Sequence, residues 1–337
     1  MLTVMPCVSM TQSSQWDKLT QEGRAAYKQG HYKEAESIFL SAMELAEKSG
    51  KESAQLAVSA NDLALLYQTQ GKFDRAESLG KQALEIREKT CGKEDLRLAV
   101  QLNNLAMTYK KQAKYSEAED LYKRALSITE KAYGPHDPRV AITLDNLALL
   151  YEAQHKFDLA EPLAERSLAI EEKALNPENI DLAITMDNLG IIYRGLGKYS
   201  KAEPLLKRSL SIQQKVLGPD HPAIASALDN LGSVYESLGK YNEAIDLCQQ
   251  ALTIEEKRLE PNDPNIAITL CNLAWIYTKQ EKFVEAEPLY KRALNIYIHS
   301  LGEKHPSTLN CKSRYITLLR KMNKNEEITR LESKASL

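Results

Sequence analysis

Five asparagines, Asn104, Asn146, Asn188, Asn230 and Asn272, recur 42 residues apart. A primary amide is a donor and an acceptor at once, so a row of them can pair with a polypeptide backbone whatever its side chains. The residues just before them are Asn103, Asp145, Asp187, Asp229 and Cys271, which puts three acids in the middle of the row. Further along each unit come Lys110, Lys111, Arg194 and Lys279, and Trp275 lies four residues after Cys271. This is the chemistry of recognition: amides for a backbone, acid at the centre, base toward the edges, and an indole of the kind that anchors interfaces. Each amide has a second use in bonding a neighbouring helix. The indole has one too, in packing between helices. The residues alone leave these alternatives open.

Catalysis finds no comparable footing. The chain has no glycine-rich phosphate loop, no Gly-x-Ser-x-Gly and no His-Glu-x-x-His. Its many acids are expected on outer helical faces or at caps. His136, His221 and His305 share no register and have no partner histidine at helical spacing, so no metal site and no cofactor is expected. Five cysteines, Cys7, Cys91, Cys248, Cys271 and Cys311, form no Cys-x-x-Cys pair and are odd in number. The expectation is free thiols in a cytoplasmic protein.

Helices must hold these residues in place. Tyr67, Tyr109, Tyr151, Tyr193, Tyr235 and Tyr277 keep the 42-residue interval, as do Lys72, Lys114, Lys156, Lys198, Lys240 and Lys282. An aromatic follows each lysine, and an alanine follows three residues later (Ala76, Ala118, Ala160, Ala202, Ala244 and Ala286). Apolar residues spaced three and four apart predict helix A of the third full unit from about Pro138 to Gln154 and helix B from about Asp158 to Ala174. The short turn His155-Lys156-Phe157 forces an antiparallel hairpin. Asp74, Ser116, Asp158 and Ser200, with a glutamate three residues on, predict capping boxes for the B helices. Pro162, Pro204 and Pro288 are expected in the first turn of those helices, and the residue before Pro138, Pro222, Pro264 or Pro306 is expected to cap helix A. Small residues at one position of each helix, such as Ala148 and Ser167, predict close helix approach.

A period of this length marks an all-α solenoid, in which each unit packs only on its neighbours. The reading places a flexible segment at 1–14 and hairpins starting near 15, 54, 96, 138, 180, 222 and 264. A degenerate unit follows from 306, where Arg314 stands in the asparagine register, and a polar cap or tail occupies 323–337. The expected architecture is a right-handed superhelix of about seven hairpins with a C-terminal capping helix. A net charge of −2 and the central acids argue against nucleic-acid binding. No apolar run approaches the roughly 20 residues of a membrane span. The first ten residues lack the basic start and long apolar stretch of a signal peptide.

The motifs Leu-Asp-Asn-Leu-Ala-Leu-Leu-Tyr (144–151), Gly-Lys-Tyr-Ser-Lys-Ala-Glu-Pro-Leu (197–205) and Leu-Gly-Pro-Asp-His-Pro (217–222) resemble the tetratricopeptide repeat family in its 42-residue form. They are most similar to the repeats of kinesin light chains, over roughly residues 15–322. The resemblance implies that the A helices line a concave groove for an extended peptide or a partner helix, with the asparagine row facing it. It also implies a scaffold or adaptor that binds a protein partner, or alternatively a regulatory subunit that senses a peptide or ligand.

Overall fold

The computed structural model describes residues 10–50 and 52–333, and among them every regular element is a helix. The chain divides into two compact units, Met1–Ile170 and Glu171–Leu337. The first holds α1 (Met10–Lys28), α2 (Tyr32–Lys48), α3 (Ala54–Thr69), α4 (Phe73–Cys91), α5 (Leu98–Lys111), α6 (Tyr115–Tyr133), α7 (Pro138–Ala153) and most of α8 (Phe157–Ala174). The second holds α9 (Ile180–Gly195), α10 (Tyr199–Leu217), α11 (Pro222–Ser237), α12 (Tyr241–Arg258), α13 (Pro264–Lys279), α14 (Phe283–Leu301), α15 (Pro306–Lys321) and α16 (Asn325–Ser333). Odd and even helices pair as antiparallel hairpins, and within each unit every hairpin packs on the next.

Both ends carry more helix than the sequence suggested. Helix α1 begins at Met10, so part of the segment expected to be flexible is helical; residues 1–9 lie outside the described ones. At the other end, α16 completes an eighth hairpin. It buries Ile328 against α15, and the Tyr315 hydroxyl donates to Glu327 at 3.0 Å.

The packing follows the small-residue stripes. Ala106, Ala148 and Ala274 on A helices, and Ala83, Ala125, Ser167, Ser209, Ala251 and Ala293 on B helices, are fully buried. At Gly190 an added Cβ would sit 2.6 Å from Leu206, and at Gly23 it would sit 2.6 Å from Phe39. The buried serines close their own hydrogen bonds, Ser167 Oγ to the Ala141 carbonyl at 3.0 Å and Ser209 Oγ to that of Ala183 at 2.7 Å.

The helix starts divide into one expectation met and one corrected. Asp137, His221, Asp263 and His305 cap the A helices as expected, each accepting from the backbone N–H two residues on. The capping boxes do not form. Lys72, Lys114, Lys198, Lys240 and Lys282 occupy the N-cap positions with no side-chain cap bond, because each helix starts directly out of a left-handed turn residue. Asp74 and Asp158 therefore lie inside the first turn. The early start also moves Pro162, Pro204 and Pro288 into the helix interior, where each removes a ladder hydrogen bond.

Candidate functional site

The glutamates expected in capping boxes tie one hairpin to the next instead. Glu77 on α4 accepts from Lys114 at 2.6 Å and from Lys81 at 2.6 Å. Burial opposes its charge, yet these ammonium groups hold its pKa down at about 2. Glu36 takes Tyr67, Gln70 and Lys72 from the next hairpin, and Glu119 takes Tyr151 and Lys123. Glu203 takes Lys207, Tyr235 and Lys240, and Glu287 takes Lys291 and Lys324. The repeated Tyr and Lys of the 42-residue pattern are therefore packing residues. The ladder breaks at Ile245, where Tyr277 instead accepts from Gln249 at 3.3 Å.

The position before each asparagine is a second tie. Asn103 Nδ2 donates to Thr143 Oγ1 at 3.0 Å, and Thr269 Oγ1 donates to Asp229 at 2.6 Å. Both pairs are 40 residues apart and join successive A helices. In the same relation Cys271 on α13 and Cys311 on α15 are joined as a disulfide, with Cα atoms 6.2 Å apart, which lies within the usual disulfide range. The expectation of free thiols fails for this pair, and with it the argument from thiols for a reducing compartment. Cys91 and Cys248 are free. Opposite Asp187 the threonine is replaced by Ala227. Asp187 instead accepts from Gln213 at 2.6 Å and keeps its other oxygen buried without a partner.

These ties draw two of the three expected central acids into the packing. Asp229 is only 8% exposed, and it and Asp187 point their bonds into the packing. Burial pushes both up to about 6, against the hydrogen bonds that Gln213 gives Asp187 and Thr269 gives Asp229. Glu255, 4% exposed beside them, is pushed up to about 7 by burial and by the neighbouring Asp229. Asp145 is half-buried.

The asparagine row divides. Asn104 donates to Asn61 Oδ1 at 2.9 Å and so serves the fold, while Asn272 lies beside Asp229 and favours its charge. Asn146, Asn188 and Asn230 are half-buried, and their amides make no hydrogen bond among the described residues. Lys110 is half-buried on α5, where burial lowers its pKa against the pull of Glu152.

Three of the expected residues converge in the second unit. Arg194, Asn272 and Trp275 line a cavity of about 70 Å³ together with Ser233, Glu236 and Arg314. A larger cavity of about 350 Å³ shares Asn272 and Arg314 and is bounded by Ile268, Tyr297, Asn310 and the disulfide. Trp275 donates its indole N–H to Glu236 at 3.1 Å. Its ring carries the Lys279 ammonium at 4.6 Å and the Arg314 guanidinium at 5.3 Å. Cations over an indole face are held by its quadrupole, so the ring positions both. Sequence reasoning missed Glu236, Asn310 and Tyr297 as wall residues. Arg314 was legible as a departure from the asparagine register, without its role.

This geometry, helical hairpins repeating every 42 residues with inter-hairpin ties in fixed register, is matched by a family profile described as tetratricopeptide repeat. It covers residues 18–89, 97–173, 145–215, 181–257 and 224–299. The chain belongs to the tetratricopeptide repeat family. Among solved structures it is similar to a putative kinesin light chain with nearly identical TPR-like repeats from Podosopora anserina, at 26% identity and a TM-score of 0.52, covering 61% of this chain and 97% of that one. It is also similar to BtubC (BKLC) from P. vanneervenii, at 29% identity and a TM-score of 0.51, covering 62% of this chain and 92% of that one. The apo quorum sensor NprR from B. thuringiensis shares the fold at 17% identity and a TM-score of 0.72, covering 94% of this chain and 85% of that one. No curated protein matches. No helix among the described residues is long and apolar enough to cross a membrane.

Proposed function

We propose that this repeat protein is a non-catalytic scaffold that binds a partner polypeptide along its A helices, with its strongest contacts in the second unit. The observation that carries this reading is the convergence of Arg194, Asn272, Trp275 and Arg314 on two cavities that share walls. An indole carrying two cations is pre-organised contact area, and pre-organisation reduces the entropy lost on binding. The unbonded amides of Asn188 and Asn230 on the same unit supply donors and acceptors for a backbone. The buried acids and the glutamate ladder belong to the packing and are not part of the proposed contact set.

The test is a comparison of two variants against a peptide selected on the intact chain. Replacing Asn146, Asn188 and Asn230 together by alanine weakens binding, as does Trp275→Ala, while helicity and melting of the triple variant stay unchanged. Undiminished affinity in both variants rejects the reading.

A further inference from the structure

We propose that the Cys271–Cys311 disulfide is a thiol-operated latch on the cavities of the second unit, an inference that rests on the polypeptide-binding reading above. The bond joins α13 to α15, with Cα atoms 6.2 Å apart. Both helices pack chiefly on α14 and meet each other in few places. One turn further along, the same two helices carry Trp275 and Arg314, with the guanidinium 5.3 Å from the ring. Both cavities take walls from both helices: Asn272 on α13 and Arg314 on α15 line each of them. The spacing of α13 and α15 therefore sets the shape of both cavities and the pose of the indole. Elsewhere in this register the A helices are tied by hydrogen bonds, Asn103 to Thr143 and Thr269 to Asp229, which no electron donor opens.

The latch is reachable from the space it controls. Both cysteines line the cavity of about 350 Å³, which is room for a small thiol. Cys271, at 6% exposed, is more open than Cys311, at 1%. A thiolate from such a reagent attacks the Cys271 sulfur and forms a mixed disulfide, and Cys311 leaves as a thiolate. Arg314 lines the same cavity, and a nearby cation favours the thiolate form of a cysteine. A second thiolate then attacks the reagent's sulfur and releases Cys271. Water protonates the two protein thiolates, and the reagent departs as its own disulfide, having given up two electrons. A small disulfide closes the latch by the reverse exchange. The open chain keeps its last hairpin in place through Tyr315, stacked on Tyr290 at 5.7 Å, and Lys324, which donates to Glu287 at 2.6 Å. What reduction releases is the alignment of α15 with α13, and with it the pre-organised site.

The experiment uses the full chain and a dodecapeptide selected from a random library on it. Affinity is measured by calorimetry in buffers of graded reduced-to-oxidised dithiothreitol ratio. Alkylation and peptide mapping report how much of Cys271 and Cys311 is free thiol at each ratio, and circular dichroism follows the helices. The latch predicts roughly tenfold weaker binding on reduction, restored on reoxidation, with affinity and thiol content changing at one ratio and helicity unchanged. Cys311→Ser binds weakly at every ratio, and Cys91→Ser behaves as the native chain does. Equal or tighter binding with the bond open overturns the inference and leaves the polypeptide-binding reading standing. So does a pair that stays as free thiols at every ratio, or a loss of helicity that accompanies the loss of affinity. Selection of no peptide on either the oxidised or the reduced chain overturns both.

Discussion

The same repeat is tied differently in the two units. In the first, polar groups are matched: Arg24 grips Asp62 through two bonds, of 2.8 and 3.1 Å, Glu77 takes two lysines, and Asn103 meets Thr143. In the second, Glu203 and Glu287 keep the lysine tie, but the chain also holds a disulfide, two aspartates and a glutamate pushed toward neutrality, and two arginines that pair with no acid among the described residues. A repeat protein folds as long as most neighbouring interfaces are sound. Departures from the pattern are therefore affordable only where neighbours compensate, and unmatched groups gather where something outside the chain can meet them.

The sharpest way to probe the difference is the tie that spans 40 residues, hydrogen-bonded between Asn103 and Thr143 in the first unit and covalent between Cys271 and Cys311 in the second. Closing a loop of that length by a disulfide removes about 4 kcal/mol of unfolded-chain freedom. Reduction of Cys271–Cys311, or Cys311→Ser, is expected to lower the stability of the last two hairpins by that order. The effect is visible as faster amide exchange in α15 and α16 with the first unit unchanged. Equal exchange before and after reduction would show that the disulfide is not a tie.

The buried acids and the ladder glutamates respond to pH in opposite directions. Asp187, Asp229 and Glu255 sit at about 6, 6 and 7 in the folded chain, above the 3.8 and 4.5 of free groups. Between those values the folded chain binds more protons than the unfolded one, so the second unit gains stability as pH falls from about 7.5 to 5 and loses it as pH rises. The ladder glutamates, Glu36, Glu77 and Glu119 in the first unit and Glu203 and Glu287 in the second, are shifted down, so their contribution is present above about 4.5 and disappears only below it; Asp62 in the first unit shares the upward direction. Asp229→Asn keeps an acceptor for Thr269 and is expected to stabilise the second unit at pH 8 by on the order of 1–2 kcal/mol. Denaturation at pH 8 and pH 5 checks this, and the gain should fade at the lower pH.

Smaller effects refine the comparison. Thr143→Val removes the hydrogen-bonded tie in the first unit and should cost about 1 kcal/mol, a fraction of the covalent one. Where other turns place glycine, Ala113, His155 and Glu281 hold positive φ of 59°, 56° and 61°. Ala113→Gly and Glu281→Gly relieve that strain and are expected to raise stability by about 0.5–1 kcal/mol each in thermal melts.

The hairpins were legible because the signals that set them are local. Periodic apolar residues, Asp137 and His221 before proline, and the Ala148 and Ser167 stripes act within a few residues of where they stand. The misread residues act across hairpins. Glu77 has the spacing of a capping box, and nothing nearby in sequence shows that Lys114, 37 residues on, claims it. Asp229 looks like a groove acid until Thr269 is placed against it. Arg194 and Trp275 were singled out from position alone. Their meeting with Arg314 depends on how three A helices pack, which the 42-residue interval does not encode.

Trp275 reports on the central claim directly, because the chain has only two tryptophans. In a Trp16→Phe chain the indole beside Lys279 and Arg314 is the sole tryptophan, excited selectively at about 295 nm, beyond tyrosine absorption. Titration with a library-selected peptide is predicted to shift its emission with the same midpoint as binding measured by calorimetry. Saturable binding that leaves the emission unchanged would place the partner elsewhere and contradict the account.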